Sequence, residues 1–265
     1  MYVEMRRPLR AGRESKLMRT ARNLAIASLS AATMHLIEKP IVWPLANQVD
    51  RRRWGLLKIF RLPKWIDILL GVILLDYTLY VWHFLTHRVP WLWRFHAVHH
   101  IDLDMDASTA IRFHFGELVI SVIWRAGQIL VLGISPAALS TWQTALSLSI
   151  LFHHSNVQLP IGMEQMLSKV IVTPRMHGIH HSVVPEETNS NWSSGLTIWD
   201  RLHGTLRLDV PQENVTLGVP GFQELEQVTL PKMLVLPFGR DELTCPTSKH
   251  LSLEEDPQLP LPQSE

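Results

Sequence analysis

Ten of the fourteen histidines in this chain sit in four tight clusters. His83 and His87 form an HxxxH box, and His96, His99 and His100 form HxxHH. His153 and His154 are neighbours, and His177, His180 and His181 form a second HxxHH. Neutral imidazole is the commonest biological metal ligand at physiological pH. Residues three and four apart share a helical face, so each box is expected to aim its rings at one place. Chance would supply roughly 0.04 HxxHH matches in such a chain, so finding two argues against coincidence. The pattern reads as a polyhistidine metal centre.

The rest of the composition narrows the chemistry. Imidazole ligation admits Fe, Zn, Cu or Ni. No HExxH box occurs, which argues against a common zinc-protease arrangement. The single cysteine, Cys245, excludes an internal disulfide, a Cys-ligated zinc site and an intrinsic iron–sulfur cluster. There is no GxGxxG or CxxCH, so electrons for redox chemistry must come from a separate ferredoxin or cytochrome-type reductase. A net charge of +1 gives no electrostatic case for nucleic acid.

The elements that must position the boxes are apolar helices. Hydrophobic content is 46%, with ten tryptophans, and mean hydropathy is +0.08. Residues 24–37 are uncharged and end at Glu38, Lys39 and Pro40, which are expected to break the segment. Residues 65–86 have spanning length but carry Asp67 and Asp76. Residues 118–124 run into Arg125, and 126–152 carry no charge, with a turn at Ser135-Pro136. A membrane span needs about 20 mostly apolar residues. The expectation is an all-α integral membrane bundle of three to four hydrophobic helices, some short, tilted or re-entrant, with a cytosolic His-rich cap. A soluble helical protein with apolar core helices is the alternative. Residues 1–22 read as a basic leader without a cleavable signal, 23–222 as the membrane and metal domain, and 223–265 as a partly disordered C-terminal tail. A second basic stretch at 51–64 leaves the first segment without a clear orientation. The uncharged turn at 133–139 is expected to face away from the cytosol.

The order of the boxes resembles the fatty acid hydroxylase/sterol desaturase superfamily of membrane di-iron enzymes. Other stretches share the likeness between about 50 and 222. Asp76-Tyr77 precede the first box, and Leu92-Trp93-Arg94-Phe95-His96 opens the second. Arg112-Phe113-His114-Phe115-Gly116-Glu117 is similar to R-x-H-P-x-E, His154-Ser155-Asn156 to HSN, and Trp199-Asp200-Arg201-Leu202 to WDRLFGT. Three departures stand out: Phe115 replaces a proline, His203 a phenylalanine, and Asn189-Ser190-Asn191-Trp192-Ser193 stands for D-x-N-Y-G. The resemblance implies nine ligands: His83, His87, His96, His99, His100, His154, His177, His180 and His181. It implies two Fe ions, O2 and a lipid substrate.

Nine imidazoles are in any case too many for one ion and suit two at about four or five each. Residues that could orient them are Asp76, His153, His114, Arg112 and Asp200. Asp76, seven before His83 and eleven before His87, is placed to hydrogen-bond a ligand ring. His153 points differently from His154 on a helix, and so is expected beside the centre. His114 and Arg112 could pair with Glu117 instead, in a structural network. His35 and His250 stand alone. Three readings remain open: an O2-dependent lipid hydroxylase or desaturase, a membrane zinc hydrolase, and a non-catalytic metal- or haem-binding protein. Zinc on isolation is compatible with the first, and an optical spectrum separates the haem reading.

Overall fold

The computed structural model describes residues 2–239 and Leu243. Among these the chain is mostly helical, with only isolated bridges and no strand. The acidic, Pro-rich run after Asp241, with Cys245 and His250, lies outside the described residues except for Leu243.

The first long helix does not break where the sequence suggests. Lys16–Thr33 (α1) passes through a π turn at Met34–Glu38 straight into Lys39–Arg52 (α2). Pro40 lies just past the π turn, and the widened turn absorbs the missing N–H and the misfit that would otherwise kink the helix. Arg53 then takes a left-handed conformation at φ 56° and ends α2.

Three more helices follow: Lys64–Arg88 (α3), Phe115–Leu132 (α5) and Pro136–His154 (α6), with Pro90–His100 (α4) between the first two. Val89 is extended because it precedes Pro90, so the chain turns there and α4 starts with proline in its first turn. At the other end, Gly133 closes α5 at φ 78°. A Cβ on Gly55 would strike the backbone of Gly133, so the α2–α3 and α5–α6 connections meet. Both lie at one end, and the histidine boxes at the other. The uncharged Gly133 turn therefore sits beside the basic stretch containing Arg51, Arg52 and Arg53.

Two cores hold the frame. Val42, Ala46 and Val49 pack against Leu75, Ile129, Ala138, Leu139 and Trp142 inside the bundle. A Cβ on Gly71 would strike that of Ala138, so α3 and α6 cross at close range. The second core, around Trp93, Ala97, Val98, Ile101, Val228 and Met233, ties α4 to residues 223–239. The first part of the expected tail is therefore packed.

Helices α3 and α5 are long and apolar enough to cross a membrane, with mean hydropathy of 1.8 and 1.6. Only 28% and 22% of those windows are buried inside the protein. Ile123 and Val131 are 77% and 69% exposed. Unburied apolar surface of this kind costs roughly 25 cal/mol per Å² in water, a cost that lipid removes. At the start of α3, Lys58 Nζ neutralises Asp67 at 2.7 Å and Asp50 at 2.7 Å.

The basic leader is built into the cap. Leu9 N–H donates to Asn156 O at 3.1 Å, and Gln158 N–H to Arg7 O at 2.8 Å. Arg19 pairs with Asp102 at 3.1 Å and with Asp106, holding the loop after α4.

Candidate metal centre

The nine box histidines come together, all buried, in two groups. His83, His87, His96, His100 and His180 form one; His99, His154, His177 and His181 form the other. Within each group the potential ligand atoms lie within 4.8 Å of one another. Each HxxHH therefore serves both groups, contrary to the expectation that a box aims at one place. The i and i+4 residues go to one group and the i+3 residue crosses to the other. On a helix of 3.6 residues per turn the i+3 direction lies about 60° from i and about 100° from i+4, on the opposite side of i. The two boxes cross in opposite senses: His96 and His100 join His83 and His87 while His99 leaves, and His177 and His181 stay together while His180 leaves. The groups abut where His100 and His181 stack, 4.2 Å apart at 15°.

Five rings are held by acceptors at Nδ1. His83 donates to Trp192 O at 2.7 Å, His180 to Ser190 O at 2.8 Å, and His154 to Ile150 O at 2.8 Å. His99 donates to Arg112 O at 3.3 Å, and His96 to the Glu117 carboxylate at 3.0 Å. A carbonyl can only accept, so Nδ1 carries the proton and Nε2 keeps its lone pair. Those lone pairs face one another: His154 and His99 Nε2 are 3.1 Å apart, and His180 and His83 Nε2 3.0 Å. No proton is left to bridge either pair. Two nitrogens about 2.1 Å from a shared ion and at right angles would stand about 3.0 Å apart, so the spacing fits a cation. His96 Nε2 and both nitrogens of His100 are likewise buried without a hydrogen-bond partner.

Burial, reinforced by neighbouring imidazoles, holds His99, His100, His177 and His181 well below the ordinary histidine value. Burial takes His180 down to about 3. These rings are neutral at pH 7, as metal ligation requires.

The supporting residues divide. His153 sits against His177, ring centroids 4.1 Å apart, outside both groups. Arg112 acts through its carbonyl on His99, while its guanidinium pairs with Asp102 at 3.0 Å and not with Glu117. Burial works against the Asp102 charge, but Arg112 and Arg19 outweigh it and hold the carboxyl below its ordinary range. Among the described residues Asp76 makes no hydrogen bond to a ligand ring. It accepts from Leu196 N–H at 3.0 Å and Trp199 Nε1–H at 2.7 Å, and so fixes the loop before Ile198–His203 (the residues around WDRL). Asp200 accepts from Trp192 and Ser193 N–H at 2.9 and 3.1 Å, steadying the carbonyl that orients His83. His114 caps α5, its Nδ1 accepting from Gly116 N–H at 3.0 Å and its Nε2–H donating to Leu234 O. Glu117, whose carboxylate holds the His96 ring, is the residue that sequence reasoning placed only as a partner of His114 or Arg112. Its position at the end of the R-x-H-x-x-E stretch, opening an apolar helix, is the signal for it.

A cavity of about 670 Å³ opens onto His83, His96, His99, His154 and His177 and extends between the bundle helices. Leu79, Trp82, Leu118, Leu146 and Ile150 line its length.

The sequence profile of fatty acid hydroxylase matches residues 68–205. That span is more than half the chain and holds all nine box histidines. The chain belongs to the fatty acid hydroxylase family. An ornithine lipid hydroxylase, OlsE, from Rhizobium tropici is 32% identical over 198 residues, 73% of this chain and 58% of that protein. Human alkylglycerol monooxygenase is 29% identical over 63% of this chain and 36% of its own length. Mouse cholesterol 25-hydroxylase is 29% identical over 53% and 46%. The chain thus spans about half the length of these relatives. No solved structure matches it.

The departures from the family pattern now have local explanations. Phe115 occupies the first turn of α5, where proline is favoured but not required. His203 stacks on Tyr80 at 5.0 Å and 14°, as a phenylalanine would. The loop 189–193 supplies the Ser190 and Trp192 carbonyls to His180 and His83. Asn191 anchors it at φ 54°, a conformation asparagine tolerates, with its amide bonded to Met176 O and Arg207 O.

Proposed function

We propose that this chain oxidises a C–H bond of a membrane lipid, by hydroxylation or desaturation, with O2 and electrons from a separate ferredoxin or cytochrome-type protein. The carrying observation is the opening of two all-histidine groups into an apolar-lined cavity. Relatives named as an ornithine lipid hydroxylase, an alkylglycerol monooxygenase and a cholesterol 25-hydroxylase support lipid oxidation. The nine histidines are the ligands, five to one ion and four to the other. Two iron ions bound there would supply the electron transfer that reduces O2. The overall change for hydroxylation is a C–H bond, O2, two electrons and two protons giving C–OH and water.

The chain's own part is binding and exclusion. Leu79, Trp82, Leu146 and Ile150 hold an apolar chain and keep bulk water from the ligands. Glu117 and the carbonyls of Trp192, Ser190, Ile150 and Arg112 hold the ring tautomers, which keeps Nε2 available. His153 braces His177, and Asp200 braces the Trp192 loop.

The protein is integral to the membrane, with the cap facing the cytosol and the Gly133 turn opposite. The uncharged turn supports that sense, and the neighbouring Arg51, Arg52 and Arg53 oppose it. Single-cysteine labelling near Pro185 in a Cys245→Ser background decides; labelling only from outside reverses the topology.

For the reaction, iron-loaded protein is given a membrane lipid extract, reductase and 18O2. A hydroxylated product carries the label if the outcome is hydroxylation, and turnover stops without O2 or without reductase. Undiminished turnover without either would replace this reading with a zinc hydrolase.

A further inference from the structure

The cavity has a polar far end that the histidine centre does not use. Arg125 lies in the middle of α5 and lines the cavity with Glu38 of the π turn and Gln143 of α6. A charged residue inside a membrane-length apolar helix is costly and marks a binding or transport path by default. The Arg125 guanidinium stacks over the Trp142 ring at 4.2 Å, yet its Nε and Nη1 are buried with no hydrogen-bond partner. Glu38, 5% exposed, lines the same space and bonds neither of those two nitrogens. Two opposite groups withdrawn from water therefore face the same space, and donors are left over; Lys39 also lines this end, but it is exposed and keeps its charge in the surroundings.

We infer that Glu38 and Arg125 bind the head of the lipid that the histidine centre oxidises, and that this head is a neutral group able both to accept and to donate a hydrogen bond, a hydroxyl or an amide. Such a group accepts from Arg125 and donates to Glu38. A carboxylate would satisfy Arg125 but be repelled by Glu38, and an alkane would leave both unpaired. Arg125 follows Glu117 by eight positions, about 12 Å along the helix. Because Glu117 touches His96, the head is held at a set distance from the metal end, which fixes the carbon that is presented there. This inference rests on the lipid-oxidation reading for its orientation, but its test reads binding alone.

Purified, iron-loaded protein in detergent is given a fluorescent fatty-alcohol probe, and displacement is measured with 1-hexadecanol, hexadecanamide, hexadecanoate and hexadecane. Either or both of the first two displace the probe best in the native protein, and their order separates hydroxyl from amide recognition. Arg125→Met weakens them roughly tenfold or more, as loss of a hydrogen bond to a charged group does, and leaves hexadecane unchanged. Glu38→Gln shifts preference toward hexadecanoate, because the repelling carboxylate is gone. Should Arg125→Met fail to fold, the Glu38→Gln shift alone carries the test. Equal displacement by all four ligands, or an unchanged order in folded Glu38→Gln protein, overturns the inference. Native protein that keeps this order but turns over undiminished without O2 or reductase would overturn the oxidation reading and leave the head site standing.

Discussion

The two histidine groups are built from the same motif but are not equivalent. The five-membered group draws four rings from α3 and α4, at the end of the bundle, and receives His180 from the cap. The four-membered group draws His177 and His181 from the cap, His154 from the end of α6, and His99 across from α4. Among the described residues the first has a carboxylate on a ligand ring, Glu117 on His96, and the second is oriented by the Ile150 and Arg112 carbonyls. A carboxylate acceptor makes an imidazole a stronger donor. One ion would therefore be more fully ligated and more electron-rich, the other less saturated. The HxxHH box teaches that a single short helix can serve two ligand groups, because its i+3 position points to the other side of its i, i+4 pair.

Removing a ligand should break the symmetry most. His99→Ala or His181→Ala leaves three rings in the smaller group, and metal content should fall to about one ion per chain with loss of activity. His87→Ala leaves four in the larger group, matching its neighbour, and should retain two ions, more weakly held. Equal ion loss in all three variants would show that the groups do not differ in this way. Glu117→Gln should lower metal affinity or activity about 10- to 100-fold, and by more than Asp200→Asn, which acts at one remove through the Trp192 loop. Metal titration of both variants compares them.

Acid should act through the cap rings. His180 is depressed from 6.5 in a free chain to about 3 in the fold. The unfolded chain therefore binds more protons between those values, and stability present above pH 6.5 is lost as pH falls toward 3. Apoprotein should lose stability across that window, and bound metal should shift the loss to lower pH, because ligands must be deprotonated. A melting temperature flat from pH 7 to 4 would contradict this. The smallest effect expected is for His203→Phe, which keeps the stack on Tyr77 and Tyr80. It should leave metal content unchanged and stability within about 0.5 kcal/mol.

Much of this centre is legible in the sequence, because side-chain ligands carry their identity and helical spacing carries their direction. The four clusters and the Gly133 turn need nothing more. The division into groups is not legible, since it depends on two boxes meeting from opposite sides. Backbone carbonyls from Trp192, Ser190 and Ile150 have no residue type to announce them. Asp76 shows the limit of spacing: it shares a helical line with His83 and His87, yet the loop at Gly195 reaches it first. The continuity of α1 into α2 is hidden for another reason. Glu38, Lys39 and Pro40 look like a stop, and a π turn carries the helix through them.

Nine histidines are assigned to two ions, and metal content per chain, measured on purified and fully active protein, checks that assignment. Two ions are expected; one ion or fewer in active protein would contradict it.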